Sequence, residues 1–224
     1  MDGRFGWKMA IGLTAVAAVA FWGCRGRQTA QVLAPGESDM VGSHAAGAET
    51  FKPLVEQAVT SLLARHAQAI QPAGFAQQDQ RPMRVCFVGV ENRSIEEIGD
   101  FKEQIYQMID TLLVQSPVYQ PISRRFVEAG LRETRLRPDQ LFVPENMRAF
   151  MAQMEQLGQP FEYLLYATIT SGTTRSNADY QRDYMLTLEM INVQTGHYDK
   201  ESAHLRKGYN VSPLAKLRNL GRAS

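Results

Sequence analysis

The 224-residue chain is poor in the residues and motifs that announce chemistry. It has no Gly-rich phosphate loop, no serine on a nucleophile elbow, no metal-ligand spacing and no zinc-binding helix motif. Two cysteines and four histidines are too few and too scattered for a ligand set. The formal net charge of +1, with no long block of one sign, excludes a bulk polyelectrolyte role, so nucleic acid is not an expected partner. The apolar run near the N terminus, Met9 to Trp22, stops at 14 residues, short of the roughly 20 that cross a bilayer as a helix.

What remains for an enzyme is thin. Glu91, Glu96, Glu97 and Asp100 cluster after an apolar strand, where an active site could sit, but adjacent acids there also serve as solvated turn and capping residues. Cys86 lies inside that strand with no histidine near in sequence, and reads as a small hydrophobe. His66 has no second ligand at i+3 or i+4 and reads as a surface or packed residue. His197 and His204 are an odd number of residues apart, which places them on opposite faces of a regular strand. No catalytic residue, cofactor or metal is expected.

What the chain does have is strands. Phe161 to Thr170 carries Phe161, Tyr163, Leu165, Ala167 and Ile169 on one face and Leu164 and Tyr166 on the other, which predicts a strand inside a sheet, covered on both sides. Tyr184 to Val193 puts Tyr184, Leu186, Leu188 and Met190 on one face and Met185, Thr187, Glu189 and Ile191 on the other, a half-buried strand. Thr195-Gly196 supplies a tight reversal, and His197 to Lys207 alternates as a third strand.

Ahead of this meander, Phe51, Leu54, Val55, Ala58, Leu62 and Leu63 recur at helical spacing, with Pro53 in the first turn. Met83 to Val90 is a short buried strand that ends in the loop Glu91-Asn92-Arg93-Ser94. Asp100 is placed to cap a helix with the stripe Phe101, Ile105, Met108, Ile109, Leu112 and Leu113. Val118 to Ile122 is a brief extended piece, and Ser123 is placed to cap the helix from Arg124 to Glu133. Arg124, Arg125, Arg132, Arg135 and Arg137 make that region locally basic, either a solvated helix face or a surface for an acidic partner. Pro144 opens a last helix through Met147, Phe150, Met151, Met154 and Leu157, with the methionines as core filling, and Gly158 ends it.

At the N terminus, Arg4 and Lys8 precede the apolar run, the order of a secretory signal peptide. Gly23-Cys24 at its end resembles the lipobox of bacterial lipoproteins. That resemblance implies diacylglycerol on the Cys24 thiol and removal of residues 1–23; the other reading is a short anchor or ordinary signal peptide with an incidental cysteine. With Cys24 acylated no intrachain disulfide is available. Arg25 stands where an Asp would resemble an inner-membrane retention signal, which favours the outer membrane. Gln28 to Thr50 is rich in Ala, Gly, Ser and Pro and reads as a tether. Residues 211–224 carry Lys216, Arg218 and Arg222 without an acid and read as a basic tail.

Several segments together resemble one family. They are Val90-Glu-Asn-Arg-Ser94, a helix, a short strand before Ser123-Arg-Arg125, Gly158-Gln-Pro-Phe-Glu-Tyr-Leu-Leu-Tyr-Ala-Thr-Ile-Thr-Ser171, and Leu186-Thr-Leu-Glu-Met-Ile-Asn-Val-Gln-Thr-Gly196. In this order they resemble the LpoB family, lipoproteins that activate penicillin-binding proteins and carry a domain similar to the N-terminal domain of the Tol-system protein TolB. The resemblance implies an α/β domain over 51–210, with a small mixed, mostly antiparallel sheet packed with helices, behind a signal peptide (1–23) and a flexible tether (24–50). It implies a monomer held at the outer membrane through Cys24, facing the periplasm, whose partner is a bifunctional peptidoglycan synthase. Asn92, Arg93 and Ser94 are the candidate partner-binding loop, with a structural turn as the alternative role. A structural or assembly lipoprotein using the same domain in an envelope or secretion complex is the second reading.

Overall fold

A strand that is apolar on both faces needs a layer on each, and the computed structural model supplies them. It describes residues 47–70, 81–176 and 179–209; Cys24, the leader, the tether up to residue 46 and the 211–224 tail lie outside the described residues. The elements in chain order are α1 (Ala48–Ile70), β1 (Met83–Arg93), α2 (Phe101–Val114), β2 (Tyr119–Pro121), α3 (Arg124–Thr134), a 3-10 turn (Pro138–Phe142), α4 (Pro144–Gln156), β3 (Tyr163–Ser176), β4 (Asp179–Asn192) and β5 (Tyr198–Tyr209). The strands form one sheet of order β2-β1-β3-β4-β5. β1 runs parallel to β2 and β3, while β3, β4 and β5 are the antiparallel meander. The fold is thus the mixed, mostly antiparallel α/β arrangement expected from the sequence.

One face of the sheet packs on α1 and α2. Phe51, Leu54, Val55, Ala58, Val59 and Leu62 of α1 meet Ile105, Ile109 and Leu113 of α2 over Val85, Phe87, Leu165, Ala167, Ile169 and the Tyr184–Met190 face of β4. The other face packs on α3, the 3-10 turn and α4, where Val127, Leu141, Phe150 and Met154 cover Cys86, Val88, Leu164 and Tyr166. Leu164 and Leu165, neighbours pointing to opposite layers, are both fully buried. Each such side chain contributes about 1.5–3 kcal/mol of burial, so β3 ties both layers to one backbone. Phe161 differs from expectation. It precedes the strand and so escapes its alternation, and packs with Phe150 in the second layer, their ring centroids 5.8 Å apart.

Helix ends differ from the sequence reading in instructive ways. α1 begins at Ala48, so the last residues assigned to the tether are helical and Pro53 sits inside the helix. Asp100 has helical dihedrals and makes no side-chain cap bond; Ser123 makes none either, and the α3 start uses its carbonyl, which accepts from the Phe126 amide at 2.9 Å. The end of α4 follows the glycine rule. Gly158 takes φ +69°, its amide donates to the Glu155 carbonyl at 2.9 Å, and the Gln159 amide donates to that of Met154 at 2.8 Å.

One irregularity decides what the upper half of β1 presents. The β1–β3 register slips between Phe87 and Gly89, leaving Val88 as an extra residue, and Gly89 has φ +150°. Below the bulge, odd-numbered residues face α1 and α2; above it the parity inverts. Val90 therefore joins the first core, and Glu91 turns toward Tyr166 in the second layer. Without the extra residue Glu91 would be driven into the apolar side.

Candidate functional site

The three residues proposed as a partner-binding loop divide into two kinds. Asn92 and Arg93 belong to the end of β1, paired with Ile169 and Thr170, rather than to a loop, because β3 extends past Thr170 and gives β1 a partner for longer. Asn92 spends its side chain on the turn. Its Oδ1 accepts from the Ser94 amide at 3.0 Å and the Ser94 hydroxyl at 2.7 Å, and its Nδ2 donates to the Glu96 carbonyl at 2.7 Å. This is an Asx turn closed on itself, with the Ile95 amide donating to Ser171 Oγ at 3.0 Å. Arg93 is different. Its side chain is 62% exposed and touches Glu91 through Nε at 2.8 Å. Ile95, two residues on, is 67% exposed. The turn is a scaffold that displays Arg93 and Ile95.

Around Arg93 the structure gathers groups that are far apart in sequence. Tyr166 donates its hydroxyl to Glu91 at 2.9 Å, and Phe142 meets the Tyr166 ring edge-on at 5.2 Å while remaining 40% exposed. Burial works to raise the Glu91 pKa, but the hydrogen bonds from Arg93 and Tyr166 outweigh it and hold the carboxyl below its usual range. Beyond this cluster, the second-layer core takes in Ile191 of β4. The same face of β4 and β5 carries Glu189, which accepts from the Tyr198 hydroxyl at 2.9 Å and pairs with Lys200 at 3.3 Å. Thr187 and Ser202 bond across the strands at 3.1 Å beside it. The result is a polar sheet face, bordered by Phe142 and Val143, with Arg93 at its upper edge.

The other acids do not converge into a catalytic site. Glu96 pairs with Arg182 and accepts from the Tyr184 hydroxyl at 2.8 Å on the first-layer side, whereas Glu91 faces the second. The two carboxylates are separated by the sheet. Cys86 is fully buried, and burial pushes its thiol pKa far up, which matches its reading as a structural hydrophobe. Among the arginines, Arg124 is not a free basic group. It bonds Glu103 from α2 and Glu128 at 2.7 Å, with its guanidinium 4.4 Å over the Tyr106 ring.

Sequence reasoning missed the setting of His66. The fold brings Asp199 to its Nε2 at 2.7 Å and the Tyr119 hydroxyl to its Nδ1, and Arg65 pairs with Asp199 at 3.0 Å and Glu201 at 2.7 Å. These contacts join α1 to both the β2 and the β5 side of the sheet. Partners 53 and 133 residues away leave no trace in local spacing.

A groove of about 680 Å³ lies at the upper end of β1, between the start of α2, α3 and the 3-10 turn. Its floor is Val88 to Glu91, and Glu103, Glu128, Arg124 and Arg137 are among its walls. β2 leaves β1 after Val85 while β3 stays paired with it to Arg93, which opens the crevice on the β2 side.

Comparison with solved structures finds a similarity to the LpoB C-terminal domain from Salmonella enterica, at 13% identity and a TM-score of 0.44, covering 72% of this chain and 98% of that one. The lipoprotein GNA1162 from Neisseria meningitidis is similar at 19% identity and a TM-score of 0.42, covering 63% and 94%. The PelC dodecamer from Paraburkholderia phytofirmans is similar at 15% identity and a TM-score of 0.34, covering 65% and 84%. No curated protein matches the sequence. The family model described as the peptidoglycan-synthase activator LpoB matches residues 50–198, from the first turn of α1 to the first residue of β5. That match takes in more than half of the chain and nearly all of the described fold, and the protein belongs to the LpoB family of peptidoglycan-synthase activators.

Proposed function

We propose that this protein is a lipid-anchored activator that binds a bifunctional penicillin-binding protein and raises its synthesis of peptidoglycan. The observation that carries the reading is the family match over 50–198, which takes in the folded domain from α1 to the start of β5. Cys24 is the proposed acylation site, residues 1–23 the removed leader and the segment up to residue 46 the tether, with the domain on the periplasmic side of the outer membrane. Arg93, displayed by the Asn92–Ser94 turn, is the proposed contact of that surface with the synthase.

A tethered domain gains a high effective concentration only where its linker spans the gap, so tether length is a functional parameter. Deleting most of residues 28–46 is expected to abolish complementation in cells while leaving the domain's binding in solution intact. Direct reconstitution tests the activity itself. The purified protein is added to the bifunctional synthase of the same organism and glycan polymerisation is followed over time. An increased rate is expected, and an unchanged rate at saturating protein would sink the proposal.

A further inference from the structure

We infer that the groove beside the upper edge of β1 takes an extended, lysine- or arginine-bearing peptide segment, which adds to the sheet as a strand in the lane that β2 leaves empty. The lane follows from the register. β2 pairs with β1 only from Met83 to Val85, the Ile122 amide donates to the Val85 carbonyl at 2.9 Å as the last rung, and the chain then departs into α3. β1 itself continues to Arg93. Among the described residues no strand pairs with it on this side above Val85.

The free edge is shaped to receive backbone. Tyr106 closes its lower end, stacked on Phe87 with centroids 4.4 Å apart and its hydroxyl donating to the Phe87 carbonyl at 3.1 Å. From Val88 to Arg93 six residues remain, about 20 Å of strand at the usual rise. Gly89 sits on the floor without a side chain, and a Cβ built there would be in van der Waals contact with Pro138 Cγ at 3.9 Å. Sheet edges are normally blunted by lysine, proline or a covering element. The opposite edge follows that rule, with Lys200, Arg206 and Lys207 along β5, whereas Val88-Gly-Val-Glu-Asn-Arg93 carries no lysine or proline and has its one basic residue, Arg93, at its end. An open groove stands where the cover would be.

Charge selects the occupant. Five of the eight charged side chains lining the groove are carboxylates. Arg124 is divided between Glu103 and Glu128, Arg137 is held by Asp139 at 3.3 Å, Arg93 pairs with Glu91 at 2.8 Å, and Lys102 is the third base of the lining, so the five acids still exceed the three bases that line the groove. Asp100, at the mouth, makes no side-chain cap bond and is available to a cation. Main-chain bonds to β1 would supply affinity and the acidic walls would select basic side chains. The groove shares Glu91 and Tyr166 with the cluster that holds Arg93, and the lane ends at Arg93, so the peptide site adjoins the proposed synthase contact; Asp100, also in the groove lining, belongs to the peptide site alone.

The test uses the full-length protein in detergent and a capped nonapeptide alternating lysine with valine. Two further probes are its glutamate-for-lysine counterpart and the same lysine peptide N-methylated at alternate amides. Binding is read by fluorescence anisotropy and by hydrogen exchange at the Val88–Arg93 amides. The lysine peptide is expected to slow exchange in that segment, and the acidic and N-methylated peptides to bind at least about tenfold more weakly. Asp100→Lys is expected to weaken the lysine peptide by about tenfold with unchanged thermal stability. No binding, binding without protection of Val88–Arg93, or equal binding of the N-methylated or acidic peptide overturns the inference. Synthase binding is measured in parallel on Asp100→Lys and is expected to be unaffected, which keeps the two readings separable.

Discussion

Asn92 and Arg93 are neighbours, yet the structure gives their replacement opposite consequences. Asn92→Ala removes three hydrogen bonds, two to Ser94 and one to the Glu96 carbonyl, in a part-buried turn. Each is worth about 1 kcal/mol net, but water can replace some of them at the surface, so the expected loss is about 1.5–3 kcal/mol. For a domain of this size that lowers the melting midpoint by roughly 3–10 °C. Arg93→Ala removes one contact of an exposed guanidinium with Glu91 and is expected to leave the midpoint where it was. The assay is thermal unfolding by circular dichroism, paired with a synthase-binding titration at a temperature where both variants remain folded. The expected pattern is lost stability with retained affinity for Asn92→Ala, and retained stability with weakened affinity for Arg93→Ala. An Asn92→Ala variant as stable as the parent would refute the turn argument, and an Arg93→Ala variant that binds normally would remove Arg93 from the interface.

Other outcomes follow from the packing and the charges. Burial works to raise the Asp199 pKa, but the bonds from His66 and the Lys200 amide, with Arg65 nearby, outweigh it and hold it below its usual 3.8. Its contribution is therefore present above that value and lost as pH falls through the lower folded pKa. The stability gap between the parent and Asp199→Asn is expected to close on acidification below about pH 4, and a gap that stays constant under denaturant titration down to pH 2 contradicts this. A Cβ at Gly130 would lie 2.7 Å from Met154 Sδ and 3.0 Å from Phe150 Cε2, both in fully buried side chains. Gly130→Val is thus expected to cost about 1–3 kcal/mol in urea unfolding, despite removing a helical glycine. Cys86 is expected to resist thiol reagents in a Cys24→Ser background until the domain unfolds, and rapid native labelling would refute its burial.

The sequence made the sheet legible because its signals there are periodic. Leu164 to Ala167 are buried on both faces, as a strand inside the sheet requires, and Tyr184, Leu186, Leu188 and Met190 are buried on the one face that alternation assigns to the core. The helix stripes of α2 and α4 were legible for the same reason. What escaped was everything set by register or distance. The bulge at Val88 inverts the side of Glu91 through one extra residue, with only Gly89 as a hint. The His66–Asp199 contact and the Glu96–Arg182–Tyr184 cluster join residues more than 80 positions apart. Capping was over-read, since Asp100 and Ser123 have suitable side chains but leave them unbonded to the helix ends. At the candidate surface, the sequence pointed to the Asn92–Ser94 segment but not to the division between a self-closed turn and a displayed arginine.

Contact with a peptidoglycan synthase is tested most directly by a capture experiment. The purified protein is immobilised, detergent-solubilised envelope of the source organism is passed over it, and the retained proteins are identified by mass spectrometry, with Arg93→Ala as the control. A bifunctional penicillin-binding protein held by the parent and depleted on Arg93→Ala is the expected result. Retention of other envelope components with no synthase among them would contradict the activator reading.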